Sequence, residues 1–159
     1  MEADDDALRR IAATLGADVP ACVVSRTARG DGRGDVLRPV SGLAANLAGH
    51  PVLLVNPGFP LSTGAVFAGW DGVDRGPMPE DPDDARNDLQ EPAVALCPAV
   101  GSVLGYLEEQ PGATLVRMSG SGATCFALFE DESARDAADA MIAAARPGWW
   151  RMASVLRQG

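Results

Sequence analysis

Residues 113–129 read Ala-Thr-Leu-Val-Arg-Met-Ser-Gly-Ser-Gly-Ala-Thr-Cys-Phe-Ala-Leu-Phe, and this stretch decides the fold. Two apolar runs, 113–118 and 125–129, flank a polar tip that is rich in glycine and serine. Each run has the length and composition of a buried strand, so the sequence predicts two strands joined by a tight turn. Gly120 and Gly122 allow the backbone to adopt φ > 0 and allow another molecule to approach closely.

The tip of this hairpin carries the chemistry of an anion site. Ser119, Ser121 and Thr124 place hydroxyl groups there, and the backbone N–H groups of such a turn can form a concavity that binds anions. The alternative is an ordinary glycine-rich hairpin, because short glycine motifs also arise by chance. The turn alone therefore does not assign a function.

The segments around the hairpin predict an α+β domain of the ferredoxin-like, split βαβ type with extra helices, over residues 50–159. The order strand, helices, strand, strand, helix, strand is the basis for this prediction. In chain order the predicted elements are a central strand over 51–57, a short helix capped by Ser62 or Thr63, helices beginning at Asn87-Asp88 and at Pro98, the hairpin, a helix over 133–145 and a strand over 149–156.

Residues 1–49 differ from the rest of the chain. They predict a helix over 7–15, a turn at Val19-Pro20, and a β-hairpin made of 21–28 and 35–40. A helix and one hairpin bury too little surface to form a core, so we expect these residues to be a remnant of a preceding lobe. The predicted helix has an apolar face, which without a partner would favour dimerisation or a rearranged fold.

Composition restricts the class of function. The chain has 159 residues, 47% of them hydrophobic, and a formal net charge of −9. This charge argues against non-specific nucleic-acid binding, although a local site in an acidic protein can still bind a phosphorylated ligand. All 13 basic residues are arginine, so the chain itself cannot supply a catalytic lysine.

The metal-ligating residues are few and scattered. Cys22, Cys97 and Cys125 are isolated from one another, and His50 is the only histidine. This spacing predicts reduced thiols and no metal site. The N-terminus is acidic and no apolar run reaches the roughly 20 residues of a membrane span, so we expect a cytoplasmic protein that binds neither nucleic acid nor membrane.

Four local patterns occur together in this chain. They are Leu-Gly-Ala-Asp-Val-Pro at 15–20, Asn-Pro-Gly at 56–58 with Thr63 and Phe67 after it, Arg-Asn-Asp-Leu at 86–89, and Met-Ser-Gly-Ser-Gly-Ala at 118–123. Jointly they resemble the C-terminal part of the 4-diphosphocytidyl-2-C-methyl-D-erythritol kinase family, within the GHMP small-molecule kinases, over essentially the whole chain. The first and last patterns at this separation are specific as a pair, whereas any single one is weak.

The resemblance implies phosphoryl transfer from ATP, with Mg²⁺, to the tertiary hydroxyl of diphosphocytidyl-methylerythritol in the non-mevalonate isoprenoid pathway. It implies that Asp18 is catalytic and accepts or orients the proton of the attacking hydroxyl. The residues alone support this only weakly, because an aspartate between glycine and proline is more often a turn or capping residue.

The resemblance also implies substrate-binding residues. Phe67 matches the aromatic residue that stacks on the cytosine ring, and Thr63 belongs to the same pocket. Asn87 and Asp88 match the Asn-Asp-Leu motif, although capping of the following helix is an equally good role for them. Packing in the core of a helix is the alternative for Phe67.

The glycine turn matches the third motif of the superfamily, which lies beside the phosphate loop. This correspondence covers Ser119, Gly120, Ser121 and Gly122. The family's glycine-rich phosphate loop and catalytic lysine have no match in this chain. Because such groups carry most of the catalysis in phosphoryl transfer, we expect an incomplete enzyme with little or no activity in isolation.

Two partners fit this expectation, namely a missing N-terminal lobe or a second copy of the chain. One alternative from another functional class stays open: a non-catalytic ferredoxin-like module that binds a ligand or mediates oligomerisation. Another GHMP kinase, acting on homoserine, mevalonate or a sugar, is a further alternative.

Overall fold

The computed structural model describes residues 5–32, 34–40, 47–79 and 81–157. Most of the segment 41–49, which the sequence predicts as a linker, lies outside these ranges. In chain order the elements are α1 (Asp5–Leu15), α2 (Val19–Val24), β1 (Ala28–Asp31), β2 (Val36–Pro39), β3 (Pro51–Asn56), α3 (Thr63–Ala68), a 3₁₀ turn (Pro82–Asp84), α4 (Gln90–Leu96), α5 (Pro98–Glu108), β4 (Ala113–Met118), β5 (Cys125–Phe129), α6 (Glu132–Ala145) and β6 (Trp150–Val155).

The larger sheet has four strands in the order β4-β5-β3-β6, and all its neighbouring strands are antiparallel. β3 lies in the interior of the sheet, as its continuous apolar sequence predicts. The hairpin of β4 and β5 comes from the stretch 113–129. This strand order and the intervening helices confirm the predicted α+β, ferredoxin-like architecture.

The core lies between one face of this sheet and the helices α4, α5 and α6. Alternate residues of β3, Leu53 and Val55, are fully buried on that face, which is the period of two expected for a strand. Phe129 of β5 and Ile142 of α6 are also fully buried in the same cluster. The sheet and helix layer thus form a rigid support for the loops at the ends of the strands.

The helix starts follow the local sequence. Ser62 is the N-cap of α3 and its hydroxyl accepts a hydrogen bond from the N–H of Ala65 at 3.4 Å. Pro98 is the first residue of α5, where its missing N–H costs nothing. At α4 the N-cap position belongs to Leu89, and Asn87 accepts from the N–H of Leu89 at 3.0 Å. The expected capping residues thus precede the helix instead of occupying its N-cap.

The predicted strand over 21–28 is wrong, because its first half, residues 21–24, lies in α2. Pro20 is within the first two positions of this helix, where the ring sets a helical φ and no N–H is needed. Ser25 ends the helix in the left-handed conformation, with φ of 49°. The short strands β1 and β2 form the predicted hairpin, so the described part of the N-terminal unit has two helices and a hairpin.

The N-terminal helix α1 exposes most of its apolar face. Ala12 is buried, but Leu8, Ile11 and Leu15 are exposed. The apolar face of α1 is therefore exposed in the structure.

Over the described ranges, no helix has both the length and the apolar composition to cross a bilayer.

Candidate functional site at the glycine turn

The turn between β4 and β5 is closed by its own backbone. The N–H of Ser119 donates to the carbonyl of Thr124 at 2.9 Å, and the N–H of Gly122 donates to the carbonyl of Ser119 at 2.9 Å. Gly120 and Gly122 have φ of 55° and 82°. Both values lie in the region that favours glycine, which confirms the predicted need for these two residues.

The same turn leaves donors available to a ligand. Among the residues that the structure describes, the N–H groups of Gly120 and Ser121 have no acceptor. Gly120 is exposed and Ser121 is half-buried. Consecutive free N–H groups in a turn form a small electropositive concavity, so the local backbone suits an anionic group although the chain is acidic overall.

Side chains from the end of β3 and from α3 hold one flank of the turn. The hydroxyl groups of Thr63 and Ser121 lie 3.0 Å apart. The amide of Asn56 donates to the hydroxyl of Thr124 at 2.9 Å and accepts from the N–H of Gly58 at 2.8 Å. Thr63 therefore contacts the glycine turn.

Asn87 holds the opposite flank of the turn. Its side-chain amide donates to the carbonyls of Met118 and Gly120, at 3.0 Å and 2.7 Å. The neighbouring Asp88 forms an ion pair with Arg86 at 3.1 Å. The two residues of the Asn-Asp pair thus have different partners, and only Asn87 bonds the turn.

An open cavity of about 470 Å³ lies next to this flank. Its lining is mostly apolar, with guanidinium groups and the backbone of the glycine turn among the walls. Arg117 of β4 holds the segment 83–85 at the rim of the cavity. Its guanidinium group donates to the carbonyls of Asp83 and Ala85 at 2.9 Å and 3.0 Å. The residues that line it include Arg86, Asn87, Asp88, Arg117, Gly120 and Phe126.

Phe67 presents an aromatic surface on α3. Its side chain is 54% exposed, whereas Val66 before it is fully buried. The packing of α3 therefore does not require Phe67, and the ring is free to stack on a planar group. The alternative that Phe67 is a helix-core residue is wrong, because more than half of the side chain is exposed.

Asp18 lies on a different element. It occupies the N-cap position of α2 but makes no side-chain capping hydrogen bond, and it is exposed. A Cβ placed on Gly34, in the loop of the N-terminal hairpin, would lie 3.8 Å from its carboxylate oxygen Oδ1. Within the described ranges, no hydrogen bond joins Asp18 to the glycine turn.

Asp71 and Cys125 have pKa values that differ from the ordinary ones. Hydrogen bonds from Arg75 lower the pKa of Asp71, in the segment that follows α3. Burial raises the pKa of the Cys125 thiol, directly after the turn, to about 12. Within the described part of the chain, no cluster of three or more His, Cys, Asp or Glu side chains could hold a metal ion. These residues alone therefore do not fit a Mg²⁺ site.

Comparison with known proteins identifies the domain that carries the turn. Residues 80–146, which include α4, α5, the glycine turn and α6, match the family described as GHMP kinases C terminal. These residues form a GHMP kinase C-terminal domain. The resemblance of the motifs at 86–89 and 118–123 to the GHMP small-molecule kinases is thereby confirmed.

The similarity to named proteins extends beyond this domain. The chain is 58% identical to 4-diphosphocytidyl-2-C-methyl-D-erythritol kinase of Rhizorhabdus wittichii, over 98% of the chain and 54% of that protein. It is 54% identical to the kinase of the same name from Sphingopyxis alaskensis, over 98% of the chain and 56% of that protein. The chain thus spans about half the length of the curated relatives it matches.

A solved structure agrees with these relatives. A crystal structure of 4-(cytidine 5'-diphospho)-2C-methyl-D-erythritol kinase superposes with a TM-score of 0.76 at 29% identity, over 96% of this chain and 57% of that one. The likeness therefore includes the N-terminal unit as well as the GHMP kinase domain.

Three residues that support the turn region had no role assigned from sequence. They are Asn56, Arg86 and Arg117. Asn56 had a local signal, because Asn before Pro-Gly favours a side-chain-to-backbone turn. The two arginines bond carbonyls of segments distant in sequence, and a single sequence has no local signal for such pairs.

Proposed function

We propose that the chain takes part in the ATP-dependent phosphorylation of 4-diphosphocytidyl-2-C-methyl-D-erythritol. The observation that carries this proposal is the contact between Thr63 and Ser121, which joins α3 with its exposed Phe67 to a turn with free N–H groups. An aromatic ring next to an anion-binding turn suits a ligand that has both a nucleobase and phosphates. The names of the relatives support the same substrate.

In this proposal the base and the phosphates of the ligand bind at different places. The ring of Phe67 stacks on the cytosine, and Thr63 orders the helix next to it. The N–H groups of Gly120 and Ser121 donate hydrogen bonds to a phosphate oxygen. Stacking of an aromatic side chain on a base contributes about 1–3 kcal/mol, so Phe67 would contribute a substantial part of the affinity.

Asp18 is the proposed general base. Its carboxylate is exposed and is not used for capping, so it is free to accept a proton from the substrate hydroxyl. The role requires Asp18 to lie within hydrogen-bond reach of that hydroxyl when the substrate is bound.

The groups that hold ATP and Mg²⁺ are proposed to come from outside these 159 residues. The chain has no lysine, and the described residues form no metal cluster. The exposed apolar face of α1 is the surface on which a complementary lobe would pack, since Leu8, Ile11 and Leu15 are exposed. Accordingly the isolated chain is proposed to have little or no kinase activity, and a cytoplasmic location stays a prediction.

Calorimetric titration of the chain with CDP tests ligand binding. We expect binding, and we expect the double variant Asp18→Ala/Phe67→Ala to lose it while keeping the fold. Met141→Ala is a matched control, because Met141 is 57% exposed on α6. No binding by the unmodified chain would favour the non-catalytic ferredoxin-like module.

An assay of ADP release with ATP and the natural substrate tests the catalytic part. We expect no turnover above the background without a complementary lobe. Turnover at the rate of a full-length relative would contradict the proposed incompleteness and leave the substrate assignment intact.

A further inference from the structure

Asn87 uses its whole side-chain amide within the protein. The two amide hydrogens donate to the carbonyls of Met118 and Gly120, at 3.0 Å and 2.7 Å. The amide oxygen accepts from the N–H of Leu89 at 3.0 Å. Two carbonyl partners require donors and one N–H partner requires an acceptor, so this network fixes the orientation of the amide. Neither hydrogen is left to donate to a ligand.

The contact is reciprocal, since β4 also holds the segment that carries Asn87. The Arg117 guanidinium donates to the carbonyls of Asp83 and Ala85, at 2.9 Å and 3.0 Å. Arg117 directly precedes Met118, whose carbonyl Asn87 bonds. Each side chain thus bonds the other segment's backbone. The position of the turn therefore depends on Asn87 and Arg117 together.

The bond to Gly120 bears directly on the site. Gly120 has φ of 55°, and its own N–H is one of the free donors of the turn. Fixing the carbonyl of a residue limits rotation of the peptide plane that follows it, which carries the N–H of Ser121. Asn87 thus restrains the peptide that supplies a donor to the anion.

We propose that Asn87 is a positioning residue, which holds the glycine turn so that the N–H groups of Gly120 and Ser121 stay available to an anionic ligand. It does so without contacting the ligand itself. This inference rests on the proposed function and changes the role of Asn87 from a substrate contact to a support of the turn.

The test uses the ¹⁵N-labelled chain without ligand and then with inorganic pyrophosphate. Asn87→Asp keeps the acceptor for the N–H of Leu89 but removes both donors. Asn87→Ser keeps a short acceptor and adds no charge, but its side chain cannot reach the turn. It is therefore a second test of the same role if Asn87→Asp fails to fold. Gln90→Glu is the control, because it makes the same amide-to-carboxylate change three residues away.

In the ligand-free protein we expect both Asn87 variants to shift the amide resonances of Gly120, Ser121 and Gly122. We expect hydrogen exchange at the Gly122 N–H to accelerate and the Kd for pyrophosphate to rise, each by about tenfold. In Asn87→Asp, lowering the pH from about 7 to about 3 protonates most of the introduced carboxyl and restores one donor, so the Gly120 resonance should move back towards its original position.

Unchanged amide resonances and unchanged hydrogen exchange in the ligand-free variants would overturn the positioning role. If pyrophosphate binding were nevertheless weaker, Asn87 would contact the ligand directly. If the unmodified chain does not bind pyrophosphate, the proposed function fails. The exchange measurement on the ligand-free turn still decides whether Asn87 supports it.

Discussion

The hydroxyl groups of Thr63 and Ser121 lie 3.0 Å apart and join two segments that are 58 residues apart in sequence. Thr63 is the first residue of α3, and Ser121 lies at the tip of the glycine turn. The contact joins the turn, with its free N–H groups, to the helix that carries the exposed ring of Phe67. A ligand with a base and a diphosphate would be recognised by the helix and the turn together.

Phe67→Ala should weaken CDP binding and leave stability nearly unchanged. The ring is 54% exposed, so its removal costs little packing. Loss of stacking on a base is worth about 1–3 kcal/mol, which corresponds to a rise in Kd of about 5-fold to 150-fold. Calorimetry gives the Kd and thermal unfolding gives the stability. An equal loss of affinity in Met141→Ala would show that the effect is not specific to Phe67.

Gly122→Ala should destabilise the fold more than Gly120→Ala. A Cβ at Gly122 would lie 2.9 Å from the Met118 sulfur and 3.3 Å from a Leu61 methyl, at φ of 82°. A Cβ at Gly120 would meet no described atom within 4 Å, so only its positive φ opposes the change. We expect a loss of about 2–4 kcal/mol in the free energy of unfolding for Gly122→Ala and about 1 kcal/mol for Gly120→Ala. Urea denaturation measures both, and equal losses would contradict this account.

Cys22 should be the thiol that reacts in the native protein. Cys22 is exposed, whereas Cys97 and Cys125 are buried. We expect a thiol reagent such as iodoacetamide to label Cys22 first at neutral pH, and all three cysteines after denaturation. Mass spectrometry of the labelled chain, with Cys22→Ser as the control, identifies the sites. Rapid native labelling of Cys125 would show that the core opens readily.

The raised pKa of Cys125 also predicts a dependence of stability on pH. Burial raises this pKa from its ordinary value near 9 to about 12 in the folded protein. The folded state therefore holds the thiol proton more strongly than the unfolded state does. This contribution to stability is fully present below about pH 9 and is lost as the pH rises towards about 12. Denaturation curves of the chain and of Cys125→Ala between pH 8 and pH 11 should converge as the pH increases.

The exposed face of α1 should make the isolated chain self-associate. Ile11 and Leu15 are 60% and 73% exposed, and burying such a face is favourable in water. We expect light scattering to report a mass above the monomer's 16.4 kDa, and Ile11→Ser/Leu15→Ser to restore the monomer. Leu96→Ser on α4 removes another exposed leucine and should not change the mass. A clean monomer with α1 protected from hydrogen exchange would contradict this prediction.

Much of the fold was predictable because it depends on local patterns. The apolar runs at 113–118 and 125–129 and the apolar strand β3 predicted the central part of the sheet, since burial on a strand requires such residues at each site. Ser62 and Pro98 predicted helix starts for capping and backbone reasons. The prediction failed at 21–24, because Pro20, which favours an extended residue before it, also fits the first turn of a helix.

By itself, the sequence determined that two glycines occupy the tip of the hairpin and that an aromatic residue follows Thr63 on α3. These are consequences of backbone geometry and of helical spacing. Only the tertiary structure decided that Asn87 bonds the carbonyl of Gly120, 33 residues away, and that Phe67 is exposed. The physical reason is that a hydrogen bond between distant segments depends on the three-dimensional path of both. The neighbouring residues in the sequence therefore do not show whether a polar side chain bonds a ligand or the protein's own backbone.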